Sequence, residues 1–161
     1  MVAAERLAKS AESQNIRFVF AESCSGGAAA AAMTGIPGIS RFFCGSLVTY
    51  RQSAKTSWLD VEPLTLAKFT AESAETTRQM AQQALGRTVE ANFAAAITGH
   101  LGPQAPVNDG LIFVCVAAAD PDIEFEEFQF QLAADSRVAR QLESAEHLIR
   151  SLDEVIRNNA V

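Results

Sequence analysis

The sequence predicts an α/β fold of three layers, α/β/α, with a mostly parallel sheet and one antiparallel strand pair. Three observations carry that expectation. Apolar runs of strand length alternate with stretches of helical spacing, the pattern of a sheet covered by helices on both faces. The first apolar run, Ile16-Arg17-Phe18-Val19-Phe20, lacks clear polar alternation, as a strand buried on both sides should. The turn Asp120-Pro121-Asp122 joins two strand-like runs closely enough that the second returns antiparallel to the first.

In chain order, residues 2–13 place Leu7 and Ala11 at helical spacing with charges between them, and Gln14-Asn15 can end that helix. A short buried strand follows over 16–21. Residues 27–33 read as helix, stopped by Thr34-Gly35-Ile36-Pro37-Gly38. Residues 42–50, rich in Phe, Val and Thr, read as the next strand. Helical pattern resumes over 52–58 and breaks at Val61-Glu62-Pro63. A short helix then covers 64–68. Thr70-Ala71-Glu72-Ser73 opens a longer helix to Leu85, closed by Gly86. Strands are expected over 93–98 and 111–118, with the loop Gly99-His100-Leu101-Gly102-Pro103 after the first. Over 123–130, Ile123, Phe125 and, after a slip at Glu127, Phe128 and Phe130 point inward on a half-exposed strand. The last helix, 135–157, gathers Val138, Leu142, Ala145, Leu148, Ile149, Leu152 and Ile156 on one face.

The 161 residues, 48% of them hydrophobic, suit one domain over 1–161 with a full core. A formal net charge of −6 argues against nucleic acid or an anionic membrane as partner, while leaving room for a local basic pocket for one phosphate. No apolar run approaches the roughly 20 residues that span a bilayer, and no signal-peptide pattern leads the chain. Cys24, Cys44 and Cys115 are odd in number and widely spaced, which fits reduced thiols in a cytoplasmic protein rather than a disulfide framework or zinc site. With only His100 and His147, a His-rich metal site is excluded and a Ser-His-Asp triad is poorly supplied. No metal and no cofactor is expected. An apolar edge strand and the long last helix give the expectation of a homodimer.

Ligands of open α/β sheets bind beyond the carboxyl ends of the strands. Three such ends carry polar or glycine-rich sequence: Glu22-Ser23-Cys24-Ser25-Gly26-Gly27, Thr49-Tyr50-Arg51-Gln52-Ser53-Ala54-Lys55 and Ile97-Thr98-Gly99-His100-Leu101-Gly102-Pro103. Parallel strands bring all three to one edge. In the first loop, Ser23 or Ser25 can serve as a plain helix cap. Cys24 is a second nucleophile candidate, ranked below Ser23 because no histidine is near it in sequence and a buried inert thiol is the commoner case.

Ala21-Glu22-Ser23-Cys24-Ser25-Gly26-Gly27 resembles the AESCTGG signature of the CinA C-terminal domain family, the nicotinamide mononucleotide deamidases. Gly35-Ile36-Pro37-Gly38-Ile39-Ser40, Phe43, Gly45, Val48-Thr49-Tyr50 and Ala54-Lys55 follow at fitting spacing, and Thr98-Gly99 with Gly102-Pro103 is similar to the family's TGIAGP segment. The resemblance implies hydrolysis of the carboxamide of nicotinamide mononucleotide to nicotinate mononucleotide and ammonia. It implies Ser23 as nucleophile, Lys55 as its base and Tyr50 as a third hydrogen-bonding member. Ser25, Gly26, Gly27, Ser40, Gly45, Thr98 and Gly99 would line the mononucleotide site, with Arg137 or Arg140 on the phosphate. The chemistry is consistent: a serine needs an adjacent base, and lysine is one only when burial or a helix N-terminus lowers its pKa. Backbone N–H groups of residues 25–27 are expected to hold the oxyanion.

Some residues depart from the family pattern. Gln104-Ala105-Pro106-Val107-Asn108-Asp109-Gly110 replaces a glycine-rich stretch, and Asp109 adds a charge able to repel a phosphate. His100-Leu101 replaces Ile-Ala, Ser25 replaces Thr, and Arg51-Gln52-Ser53 replaces an Asn-containing acidic run. These departures raise an alternative, a catalytically altered or inactive paralogue that binds a nucleotide or regulates.

Overall fold

The computed structural model describes residues 2–159. Its elements are α1 (Val2–Gln14), β1 (Phe18–Glu22), α2 (Ala28–Thr34), a 3-10 turn (Ile39–Arg41), β2 (Phe43–Val48), α3 (Gln52–Leu59), α4 (Pro63–Phe69), α5 (Ala74–Arg87), β3 (Phe93–Gly99), β4 (Leu111–Ala118), β5 (Glu126–Gln131) and α6 (Arg137–Asn158). The five strands form one sheet in the order β2-β1-β3-β4-β5. β1 runs parallel to both β2 and β3, and β4 runs antiparallel to both β3 and β5. Four strands therefore share one direction and the sheet is mostly parallel, as expected. The reversed β4 makes two antiparallel pairs where the sequence predicted one. The cause is the β3–β4 connection: residues 100–110 contain no helix, and a parallel return needs a crossover of about a dozen residues or more.

Side chains of β1 alternate between two cores even though both faces are buried. Phe18 and Phe20 join the α1, α2 and α6 side, where Phe18, Phe20 and Phe43 lie with ring centroids 5.2 to 5.4 Å apart. Leu7, Met33, Leu148, Leu152 and Ile156 close over them. Val19 and Ala21 join the opposite side with Ala94, Ala96 and Ala117, beneath Leu59 of α3 and Met80, Ala81 and Ala84 of α5. Those small strand residues leave room for α5 to lie close on the sheet. As a result Thr77 of α5 meets Thr98 at the end of β3, with their hydroxyls 2.8 Å apart.

Three boundaries differ from expectation. α5 starts at Ala74, with Ser73 as its cap accepting the Thr76 N–H at 3.1 Å, and runs through Gly86 to Arg87. β5 starts at Glu126, so Ile123 and Phe125 precede it, while Phe128 and Phe130 pack inward as the slip at Glu127 predicts. In α6, Val138 and Leu142 are 67% and 61% exposed rather than on the inner face. Burial begins one turn later, at Ser144 and Ala145, where the helix reaches the sheet. Among the described residues no helix is long and apolar enough to cross a membrane.

Candidate active site

The carboxyl ends of β1, β2 and β3 do converge. With the loop after β3 and the start of α6 they border a cleft of about 320 Å³, lined by Ser23, Cys24, Tyr50, Glu72, Gly99, His100, Leu101, Gly102, Ala105 and Arg137. That volume lies at the lower end of the range for small-molecule sites. Among the described residues no three His, Cys, Asp or Glu side chains are grouped to hold a metal.

The β1–α2 loop is shaped by Glu22, a carboxylate with no solvent exposure. Its oxygens accept five hydrogen bonds, from the Ser25 hydroxyl at 2.8 Å, the N–H groups of Gly27, Ala29 and Ala30 at 3.0 to 3.1 Å, and the Ser46 hydroxyl at 2.9 Å. A buried carboxylate is tolerable only when surrounded in this way by donors. Gly26 at φ 60° and Gly27 at φ 95° turn the chain around it, and a Cβ on Gly26 would sit 2.7 Å from Gln141 Nε2. This changes the expected oxyanion site. The Gly26, Gly27 and Ala28 N–H groups have acceptors within the loop, whereas among the described residues those of Cys24 and Ser25 have only the Cys24 sulfur beside them.

Ser23 leaves the end of β1 facing the cleft, 5% exposed. Lys55 approaches from α3, where it and Leu59, one turn apart, are the two buried residues. Lys55 Nζ donates to Ser23 Oγ at 2.7 Å and to the Thr49 carbonyl at 2.7 Å. Burial pulls the pKa of Lys55 from 10.5 down to about 8, against the opposing pull of Glu72. A neutral amine is thus accessible near neutral pH, held against a hydroxyl. The neighbouring Cys24 thiol is pushed by burial up to about 12, which keeps it protonated and a poor nucleophile near neutral pH.

Tyr50 and Arg137 stand at the mouth. Tyr50 is 59% exposed, and its hydroxyl accepts from Arg137 Nη2 at 2.9 Å rather than joining the Ser23–Lys55 pair. It lies just past the end of β2, where its ring turns outward, and the Thr49 carbonyl takes the third position instead. Arg137 also donates to the Gly102 carbonyl at 2.9 Å. Arg140 points away from the cleft into the loop, donating to the carbonyls of Ala134 and Leu101 and to both oxygens of Asp109 at 3.0 Å. Asp109 is therefore held by the Ala105 N–H and by Arg140, which together keep its carboxyl below the ordinary value. Its charge is neutralised inside the loop.

The remaining expected residues divide. Gly99 lines the cleft, and a Cβ there would meet Ile112 and the Leu111 carbonyl within 2.6 Å. Ser25 and Thr98 are fully buried and committed internally, to Glu22 and to Thr77. Ser40 and Gly45 lie around a different depression with Ile36 and Pro37, because they precede or begin β2 and so occupy the amino end of the strand. Two residues of the site were not among those expected: Glu22, which organises the loop, and Glu72, which lines the cleft. Glu22 carried a usable signal: an acidic side chain inside an apolar strand, directly before a glycine-rich turn into a helix.

Fold and site together define an α/β protein with a serine–lysine pair at the carboxyl edge of its sheet. A family model described as the CinA C-terminal domain matches residues 2–156. The chain is 38% identical over 127 residues to a CinA-like protein of Endomicrobium trichonymphae, covering 76% of this chain and 28% of that one. It is 32% identical over 141 residues to a CinA-like protein of Flavobacterium psychrophilum, covering 86% and 33%. The chain spans about a quarter to a third of the length of these curated relatives. Among solved structures, the competence/damage inducible protein CihA from Agrobacterium tumefaciens superposes with a TM-score of 0.87 at 31% identity, covering 96% of this chain and 93% of that one. A CinA superfamily protein from Klebsiella pneumoniae gives a TM-score of 0.89 over 98% and 97% of the chains at 24% identity, a likeness of fold. The chain belongs to the CinA C-terminal domain family.

Proposed function

We propose that the chain is an amidohydrolase that cleaves the carboxamide of nicotinamide mononucleotide to nicotinate mononucleotide and ammonia. The observation that carries this reading is the 2.7 Å contact between Lys55 Nζ and Ser23 Oγ, with the lysine buried and its pKa near 8. Neutral Lys55 takes the Ser23 proton as Oγ attacks the amide carbon, and the carbonyl oxygen becomes an oxyanion facing the Cys24 and Ser25 N–H groups. Protonated Lys55 returns that proton to the amide nitrogen, the C–N bond breaks and ammonia leaves. The same amine then deprotonates a water that attacks the acyl ester, releasing nicotinate mononucleotide and restoring the serine. Arg137, at the mouth, is the cation for the phosphate, and Tyr50 steadies it. No cofactor enters these steps.

The proposal places this chemistry in the cytoplasm, where the free thiols of Cys24, Cys44 and Cys115 stay reduced. It includes a homodimer, supported by the uncovered Val138 and Leu142. Ammonia release from nicotinamide mononucleotide by the purified protein tests it, with Ser23→Ala and Lys55→Ala expected to lower the rate by at least about a hundredfold. A second reading, a pocket that binds a nucleotide without turning it over, is favoured by the outward position of Tyr50. Calorimetric binding with no ammonia would support that reading instead.

A further inference from the structure

Glu72 is a half-buried carboxylate on the cleft wall that the mechanism above does not use. None of the ion pairs among the described residues includes it. The segment that carries it is held firmly. Thr70 sits at φ 73°, a costly conformation for a β-branched residue. Its N–H donates to the Leu66 carbonyl at 3.1 Å, and its own carbonyl accepts the Thr76 hydroxyl at 2.6 Å. Ser73, the next residue, caps α5. Lys55 offsets this charge while it is an ammonium. Once Lys55 is neutral, as the proposed base must be, Glu72 has no ion-pair partner among the described residues and its position favours a cationic ligand. The other charged group on the lining, Arg137, has the opposite sign.

We propose that Glu72 is a specificity-determining residue that selects a carboxamide carried on a cationic ring. Resting on the mononucleotide reading, this gives the cleft two poles, with Glu72 for the pyridinium and Arg137 for the phosphate. A neutral ring bearing the same amide, ribose and phosphate satisfies only one pole and leaves Glu72 desolvated without a partner.

The test is calorimetric binding to the Ser23→Ala protein, which removes turnover, using nicotinamide mononucleotide and its reduced dihydropyridine form, whose ring is uncharged. The oxidised form is expected to bind at least about tenfold more tightly, and adding Glu72→Gln should bring the two within about threefold by weakening the oxidised form. Glu72 also raises the pKa of Lys55, so Glu72→Gln leaves less ammonium to repel the pyridinium, an influence that runs against the expected loss and does not produce it. Equal binding of both ligands to Ser23→Ala overturns the inference alone, as does a preference that survives Glu72→Gln in a protein of unchanged melting temperature. Binding of neither ligand overturns the mononucleotide reading and this inference with it.

Discussion

The Ser25 hydroxyl donates to the Glu22 carboxylate at 2.8 Å, and with this bond the buried acid begins to organise the loop that presents Ser23. The Gly27, Ala29 and Ala30 N–H groups complete the cradle at the start of α2. Glu22→Gln keeps the shape but turns an NH2 toward donors. It should cost about 2 to 4 kcal/mol of stability and lower activity in the protein that still folds. Urea denaturation beside ammonia release reads both; a variant as stable as the parent would refute this role.

Lys55 couples stability to pH. Its folded pKa, about 8, lies below the value of 10.5 expected when unfolded, so between those values the unfolded chain holds more protons and stability rises with pH. Below about pH 8 the full penalty of burying the ammonium is present, about 3 kcal/mol in order of magnitude. Lys55→Met should therefore be inactive yet more stable at pH 7, with the advantage fading as pH approaches 10.5. Denaturation midpoints at pH 7 and at pH 10 check the sign.

On the proposed mechanism the same pKa governs the rate. Activity of the intact protein should rise with pH through an inflection near 8, as the neutral amine becomes populated. Replacing Glu72 by Gln removes a charge that raises the lysine pKa and should move that inflection lower. A flat profile from pH 6 to 9 would count against Lys55 as base.

Tyr50 and Arg137 act at the rim through their 2.9 Å bond. Tyr50→Phe should leave kcat within about threefold, because its hydroxyl does not touch Ser23 or Lys55. Arg137→Met should raise KM by about tenfold or more through loss of the phosphate cation. A kcat collapse in Tyr50→Phe would return the tyrosine to the chemical step.

Gly102 is the tightest point of the β3–β4 loop. At φ 53°, a Cβ there would lie 1.9 Å from Asp109 Oδ1 and 2.9 Å from Arg140 Nη1. Gly102→Ala should break the Arg140–Asp109 pair and lower kcat/KM at least about tenfold, while far-ultraviolet dichroism stays unchanged.

Much of this was legible in the sequence, for reasons that differ by residue. Ser23 and Lys55 could be placed because each follows a parallel strand, and parallel strands deliver their carboxyl ends to one edge. Ser40 and Gly45 were expected at the site only through the family resemblance, and strand direction places them at the amino end of β2, away from the cleft. Ser25 and Thr98 look like ligand hydroxyls in one dimension, and only packing reveals Glu22 and Thr77 as their partners. The reversal of β4 was readable from the missing helix in residues 100–110. Arg140 could not be told from Arg137, since both sit in the first turn of α6 and only the position of Asp109 separates them. Glu72 reads as a helix opener until the cleft is seen in three dimensions.

In the proposed mechanism Ser23 forms a covalent acyl intermediate with Lys55 as its base. Acid-quenched protein taken during turnover of nicotinamide mononucleotide, examined by intact-mass and peptide mass spectrometry, tests it most directly. The expected result is an ester on Ser23 whose added mass is that of nicotinamide mononucleotide less ammonia, absent from Ser23→Ala. An adduct on Cys24, or undiminished ammonia release by Ser23→Ala, would contradict it.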